Sequence, residues 1–543
     1  MWSHAAERGL TPAHRYAPHE SAIMHRRHFL EAAGAAAVMA ATSSLGAQAI
    51  RHNPFGLGVA SGSPATDGFV LWTRLMAAAG ADPLPKVPLL VGWELAADPG
   101  FRRIVRRGST LAEPDFAHSV HVEINGLPGP ARNTASGGQL YWYRFMTAGA
   151  VSATGRTRTL PPRTSDAPLN LALASCQNYE HGYFSAHRHL AREDVDLVLF
   201  VGDYIYEYGI TPNRVRRHNS ATCLTVDDYR ARYAHYKADA DLQAAHAALP
   251  WIVTWDDHEV ENDYADDRAP SGRGEAFLAR RAAAYRAYWE HMPLRWAQRP
   301  QGADAQLYRR YHWGSTANLH VLDARQYRHH QVCTPQHEGG SRTINDQACP
   351  QRSDPQWSLL GAAQEAWLNQ GILSSTAQFD LVGQQSLMAQ MRMAAARAPE
   401  PAPADGLWND SWDGYPAARR RALEVWATRK NVLTLGGDVH ASYVTDLKMD
   451  FDDASSPVVA TEIVGTSITS PSWPQARTER VMRDNPHVRY GKSDQRGYTV
   501  VQVKGKQATA HLRVIDNARV AQTVLSTAAS FVVEAGRPGA QRL

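Results

Sequence analysis

The chain has 543 residues, of which 44% are hydrophobic and 20% charged, with a net charge of +4. That length gives room for two or three domains, and the composition is that of a soluble globular protein. So small a charge, with no basic run, excludes a groove for nucleic-acid backbone, and four cysteines are too few for a disulfide-built scaffold.

The N-terminus carries an address. Arg26-Arg27-His28-Phe29-Leu30 resembles a twin-arginine export signal. A mild apolar stretch from Ala32 to Ala41 follows, and Ala47-Gln48-Ala49 offers a small-residue cleavage site. The stretch is too short and too weakly hydrophobic for a stable membrane anchor. Residues 1–49 are therefore read as a signal region, with Met24 as an alternative start, and the mature chain is expected in the periplasm or outside the cell. The competing reading is an Ala-rich helix with a chance arginine pair. The twin-arginine translocase carries folded proteins, which suits an enzyme that loads metal before export.

Residues 50–160 read as short strands and turns. Val70-Leu71-Trp72, Leu89 to Trp93, the alternating Val120 to Ile124 and Tyr141 to Phe145 are punctuated by Gly and Pro, as at Gly126-Leu127-Pro128-Gly129. This spacing predicts a β-sandwich. Residues 161–168 read as a linker, and the remainder, 169–543, as an α/β layered domain with a C-terminal extension. Buried strands are predicted at Leu169–Ala174, Leu197–Val201, Ile252–Thr254, Leu319–Leu322, Leu381–Val382 and Val432–Leu435, with helices at Phe277–Tyr288 and Arg419–Thr428. Ala395 to Gly406, rich in Ala and Pro, reads as an exposed loop.

Three apolar runs stop at acids and histidines: DLVLFVGDYIYE from Asp196, WIVTWDDHEVEN from Trp251, and NVLTLGGDVH from Asn431. Open α/β sheets bind ligands beyond the carboxyl ends of their strands, so three strand ends deliver oxygen and imidazole donors to one place. Asp203 can bridge two metals, and Tyr206 reaches the same ion if the chain turns there, with Tyr204 and Tyr208 as its rivals. Cys176 ends another strand. Thiolate and phenolate suit a ferric ion better than Mg²⁺. Asp257 is a ligand candidate, and His258 is expected to touch the substrate phosphate or protonate a leaving group. Asn262 offers a neutral oxygen. In Gly436-Gly437-Asp438-Val439-His440 the glycines allow close backbone approach to a ligand. In an extended segment, Asp438 and His440 point the same way.

Taken together, the Asp-x-x-Tyr at Asp203, the strand-end acid followed by His258, and Gly-Asp-x-His at Asp438 resemble the metal-dependent phosphatase superfamily. They follow the purple acid phosphatase pattern with changes: Asp257 stands where that pattern has Asn, and Asp438 where it has His. Those changes, with Cys176, are similar to the alkaline phosphatase D (PhoD-like) family. Phe55 to Pro64, Leu322 to Arg328 and Trp412 to Pro416 extend the resemblance.

The resemblance implies a four-layer α/β/β/α metallophosphatase domain behind an immunoglobulin-like β-sandwich. It implies an alkaline phosphomonoesterase or phosphodiesterase with Fe³⁺ and one or two Ca²⁺. Cys176, Asp203, Tyr206 and His440 would surround the iron. Asp203 would bridge to calcium, with Asp257 and Asp438 as further calcium ligands and Asn262 also at a calcium. Such metals would activate a hydroxide to attack small-molecule phosphate mono- or diesters. Among the rivals are a phospholipase D-type phosphodiesterase on the same scaffold and, more remotely, a non-catalytic envelope binding protein. Cys333 and Cys349 are expected to pair in an oxidising compartment, the alternative being two free thiols.

Overall fold

The structure, a computed structural model, describes residues 52–78, 80–128, 137–335, 338–394 and 404–543. The Arg26-Arg27 segment, expected to be an export signal, and most of the Ala395 to Gly406 stretch, expected to be a loop, lie outside the described residues.

Two large sheets carry the fold. The first has ten strands in the order Arg537–Arg542, Leu525–Glu534, Gln507–Ile515, Arg496–Lys504, Leu169–Ala174, Leu197–Val201, Pro250–Thr254, Val59–Ala65, Gly68–Arg74 and Ser119–Ile124. The second has seven: Arg309–Trp313, Ala317–Val321, Phe379–Gly383, Val432–Gly436, Val458–Val464, Ser442–Lys448 and Val488–Lys492.

Successive side chains of a strand point to opposite faces. Leu197, Leu199 and Val201 therefore enter the core between the sheets, against Leu319, Leu381, Leu433 and Leu435. Val198 and Phe200 enter the opposite core, under helices Val226–Lys237, Ala240–Ala248 and Glu275–His291. Tyr229, Tyr233 and Tyr236 from the first of these helices, and Phe277, Ala284 and Tyr288 from the last, recur at helical spacing on that face. On the outer face of the second sheet, Ala418, Ala422 and Trp426 of helix Pro416–Ala427 cover Val382 and Val432. The result is four layers, α/β/β/α.

The N-terminal β-rich part joins this architecture through the backbone. Its strand Val59–Ala65 runs parallel to Pro250–Thr254, with Ser61 opposite Pro250 and Gly62 opposite Trp251. A five-stranded sheet, including Leu89–Ala96, Ile104–Ala112 and Leu140–Thr147, packs on that edge. Phe69, Leu71, Val91, Val120, Val122 and Phe145 fill the space between.

Four parallel strands point their carboxyl ends at one place. Leu169–Ala174, Leu197–Val201 and Pro250–Thr254 come from the first sheet, and Val432–Gly436 comes from the second. The approach is close: a Cβ on Gly437 would lie 2.6 Å from Ser175 Oγ and 3.0 Å from Val201 Cγ2. Gly437 thus lets the two sheets approach closely at this point. Cys333 and Cys349 are joined by a disulfide across 16 residues. That excursion ends in the pair Thr343–Ile344 and Leu407–Trp408, at the edge of the cleft described next.

Candidate active site

The strand ends do not continue as extended chain. Cys176, Asp203, Asp438 and His440 all sit in the left-handed region, with φ of 59°, 56°, 64° and 55°. This corrects the expectation that Asp438 and His440 share an extended segment; a tight turn carries both into the cleft. Such backbone costs of order 1–3 kcal/mol per residue and persists only where the surroundings enforce it. Here the enforcement is visible. Cys176 N–H donates to Gly202 O at 3.1 Å, and Gln177 N–H to Asp203 O at 3.0 Å. The buried carboxylate of Glu259 accepts from the N–H of Asp203 at 3.0 Å, of Asp256 at 2.7 Å, and of Tyr204. Gly202, at φ 105°, passes so close to Asp256 that a Cβ would meet the Asp256 Cβ at 2.4 Å.

Among the described residues, three groups of side chains bring one donor atom each within 4.8 Å of one another: Cys176, Asp203 and His440; Asp203, Asp257 and His258; and Asp257, Asp263 and Asp410. Asp203 belongs to two of them, as a bridging position requires. Tyr206 Oη donates to Asp203 Oδ2 at 2.7 Å, accepts from Ser470 Oγ at 2.7 Å, and lies 3.2 Å from His440 Nε2. The rival tyrosines point elsewhere. Tyr204 Oη meets His246 at 2.7 Å, and Tyr208 is 40% exposed with its ring edge-on to His258. Asp438 and Asn262 line the same cleft, of about 440 Å³. Asp438 stands outside the three groups, and Asn262 is held by its N–H on Glu207 at 2.9 Å.

Around these stand residues that the sequence reading did not single out. Glu207 accepts from His258 Nδ1 at 2.8 Å, so that ring's other nitrogen is left for the cleft. Buried Arg325 pairs with Asp256 and, at 2.7 Å, with Asp410, and lies 3.6 Å from Asp257. Glu259, Glu207, Asp263 and Asp410 carried too little signal as single acids. Arg325 lies inside the Leu322 to Arg328 stretch of family resemblance, where its role could have been sought.

The electrostatics describe a site built for cations. Burial, then the charge of Asp203, pushes the Cys176 thiol well up, and the Tyr206 hydroxyl rises for the same reasons. Burial pushes Asp438 up to about 8, against the pull of Arg325. Burial and Asp203 also push Glu259 up to about 8, against its three backbone donors. Burial opposes ionisation of Asp257, but Arg325 and His258 outweigh it and hold that carboxyl low. His258 goes the other way: burial disfavours its charge, and Asp203, Glu207 and Asp257 more than compensate. Asp203 Oδ1 is buried with no hydrogen-bond partner among the described residues. An orphaned buried carboxylate oxygen beside a thiol, a phenol and an imidazole fits a bound cation, which would also displace the protons that burial retains.

Residues 171–512 match the model of the PhoD-like phosphatases, and residues 39–161 match the model of the PhoD-like phosphatase N-terminal domain. The chain belongs to the PhoD-like phosphatase family. It is a metal-dependent phosphoric ester hydrolase. Alkaline phosphatase D of Bacillus subtilis (strain 168) is 44% identical to it over 510 residues, covering 90% of this chain and 82% of that protein. A solved structure described as PhoD is 43% identical and superposes with a TM-score of 0.82, over 91% of this chain and 93% of that one. In this PhoD-like phosphatase no described helix is long and apolar enough to cross a membrane.

Proposed function

We propose that this chain is an exported alkaline phosphatase and phosphodiesterase whose centre holds Fe³⁺ and Ca²⁺. Cys176, Asp203, Tyr206 and His440 would hold the iron. Asp203, Asp257 and Asp438 would hold calcium, with Asn262 beside them. The observation that carries this reading is Asp203, shared by two donor groups and left with an unpartnered buried oxygen. Bound there, the cations would neutralise phosphate oxygens and lower the pKa of an attacking water.

The protein's own residues do the rest. Ser470 and His440 hold Tyr206 in place, and Glu259 fixes the Gly202-Asp203-Tyr204 turn. Glu207 orients His258, whose free nitrogen can donate a proton to the leaving oxygen; the surrounding carboxylates keep that proton available. Arg325 keeps Asp257 ionised and aimed. The twin-arginine segment and the Cys333–Cys349 disulfide support export into an oxidising compartment.

Metal analysis of the exported protein, with rates on p-nitrophenyl phosphate and bis-p-nitrophenyl phosphate, tests the reading. Iron and calcium with hydrolysis of both esters are expected. Full activity with zinc alone would overturn the metal assignment. Replacing Arg26 and Arg27 together by Lys should trap the precursor inside the cell.

A further inference from the structure

The cleft that holds the acids has a second wall, apolar, from Leu387, Met391, Met393, Trp408, Val439 and Trp473. Beside it stands Arg477, the only arginine or lysine among the described residues lining the cleft. Six aspartates among the described residues line the same cleft: Asp203, Asp257, Asp263, Asp410, Asp413 and Asp438. Asp410 and Asp413 are claimed by other arginines, Arg325, Arg328 and Arg419, at 2.7–2.9 Å. Arg477 forms no ion pair with any of them among the described residues. Its guanidinium instead lies over the Trp473 ring, 4.4 Å from the centroid, and its Nη2 lies 4.0 Å from the sulfur of Met393.

Stacking occupies the face of a guanidinium and leaves the N–H donors in its plane free for an anion. The platform is fixed. Trp473 Nε1 donates to Thr478 Oγ1 at 2.8 Å, and Thr478 Oγ1 donates to Ser493 Oγ at 2.7 Å. The segment that carries Trp473 is tied to the centre, since Pro471 O faces His440 Nδ1 at 2.9 Å. Trp473 also borders a neighbouring cavity of about 470 Å³, so a long leaving group has somewhere to extend.

We propose that Arg477, stacked on Trp473, is a specificity-determining residue of this phosphatase, binding a second anionic group carried by the leaving alcohol of the phosphate ester. The proposal rests on hydrolysis taking place in this cleft, which Asp203→Ala tests separately with p-nitrophenyl phosphate.

The experiment compares p-nitrophenyl phosphate with 3-carboxy-4-nitrophenyl phosphate, two esters that differ by one carboxylate. Arg477→Gln in the metal-loaded enzyme should lower kcat/KM for the carboxylated ester about tenfold relative to the plain one, mostly through KM. Arg477→Lys should recover part of that preference, because charge returns without the planar fork. An unchanged ratio, with both esters unaffected or both slowed alike, would overturn the proposal. The wild type gives an independent reading that needs no variant to fold. Added salt should slow the carboxylated ester more steeply than the plain one; equal slopes, or the opposite sign expected from repulsion by the cleft's aspartates, would also overturn it.

Discussion

His440 Nδ1 lies 2.9 Å from the carbonyl oxygen of Pro471. A carbonyl can only accept, so Nδ1 carries a proton, and in the neutral ring that a metal ligand must be, Nε2 presents a lone pair. That lone pair faces Tyr206 Oη at 3.2 Å and Asp203 Oδ2 at 3.8 Å. Tyr206 has one proton, and Asp203 Oδ2 takes it at 2.7 Å. Donor lone pairs are thus turned toward one another with too few protons to satisfy them, which is what an imidazole, a phenol and a carboxylate do around a cation.

Asp203→Ala should abolish activity and strip metal. The residue sits in two of the three donor groups, and among the described residues no other carboxylate shares its place beside Cys176 and His440. Metal content by elemental analysis and p-nitrophenyl phosphate turnover check this. Activity above about a tenth of wild type would rule out the bridging role.

His258→Ala should lower turnover more than metal content, because Glu207 fixes the ring with one nitrogen free for substrate. The structure also brings His258 within reach of Asp203 and Asp257. Metal loss equal to that of Asp203→Ala would therefore make it a ligand. Measuring both quantities on one preparation separates the two roles.

Glu259→Gln tests the scaffold beneath the ligands. The carboxylate accepts three backbone N–H groups that shape two strand-end turns. An amide nitrogen in place of one oxygen would leave a buried donor unsatisfied, at about 1–3 kcal/mol. A lower Tm and reduced metal content are expected, although no proposed ligand has changed. A variant with wild-type Tm and metal content would show that the turns hold themselves.

Much of this was legible because the central strands are buried on both faces and read as unbroken apolar runs. Leu169–Ala174 and Leu197–Val201 match their predicted bounds. Val432–Leu435 falls one residue short of the observed Val432–Gly436. The C-terminal strands of the first sheet were not legible in that way. In Gln507–Ile515, Thr509, His511 and Arg513 alternate with buried Ala508, Ala510 and Leu512, so no run forms. The site divides along similar lines. The proposed ligands stand at the ends of strong runs, whereas Glu207, Glu259 and Arg325 act through partners far along the chain. Arg325 and Asp410 are 85 residues apart, and no local pattern records that meeting. The extended reading of Asp438 and His440 failed because both adopt left-handed backbone.

Iron should announce itself by colour. Phenolate and thiolate donate charge into Fe³⁺, whereas Zn²⁺ has a filled d shell and gives no such band. Tyr206→Phe should shift or bleach the visible absorption while the circular dichroism spectrum stays unchanged. A calcium chelator should remove activity and leave most of the colour. A colourless, fully active enzyme would reject the iron assignment while leaving the phosphatase itself untouched.

The metal-free protein should lose stability as pH rises, and Asp438 gives the sign. Its carboxyl has an ordinary value of 3.8, and burial pushes it up to about 8 in the folded chain. Between those values the folded state holds a proton that the unfolded state has lost, so the stability of the folded state falls as pH rises through this window. Once ionised, the carboxylate is buried beside the charges of Asp257, Asp410 and Asp203, opposed by Arg325. Calcium supplies the missing positive charge and should reverse the trend. Thermal unfolding of chelated protein from about pH 5 to pH 9, with and without added Ca²⁺, measures both effects. Asp438→Asn should flatten the decline in the absence of calcium and weaken the rescue in its presence. A variant that keeps the full wild-type slope would show that the titrating acid lies elsewhere in the cluster.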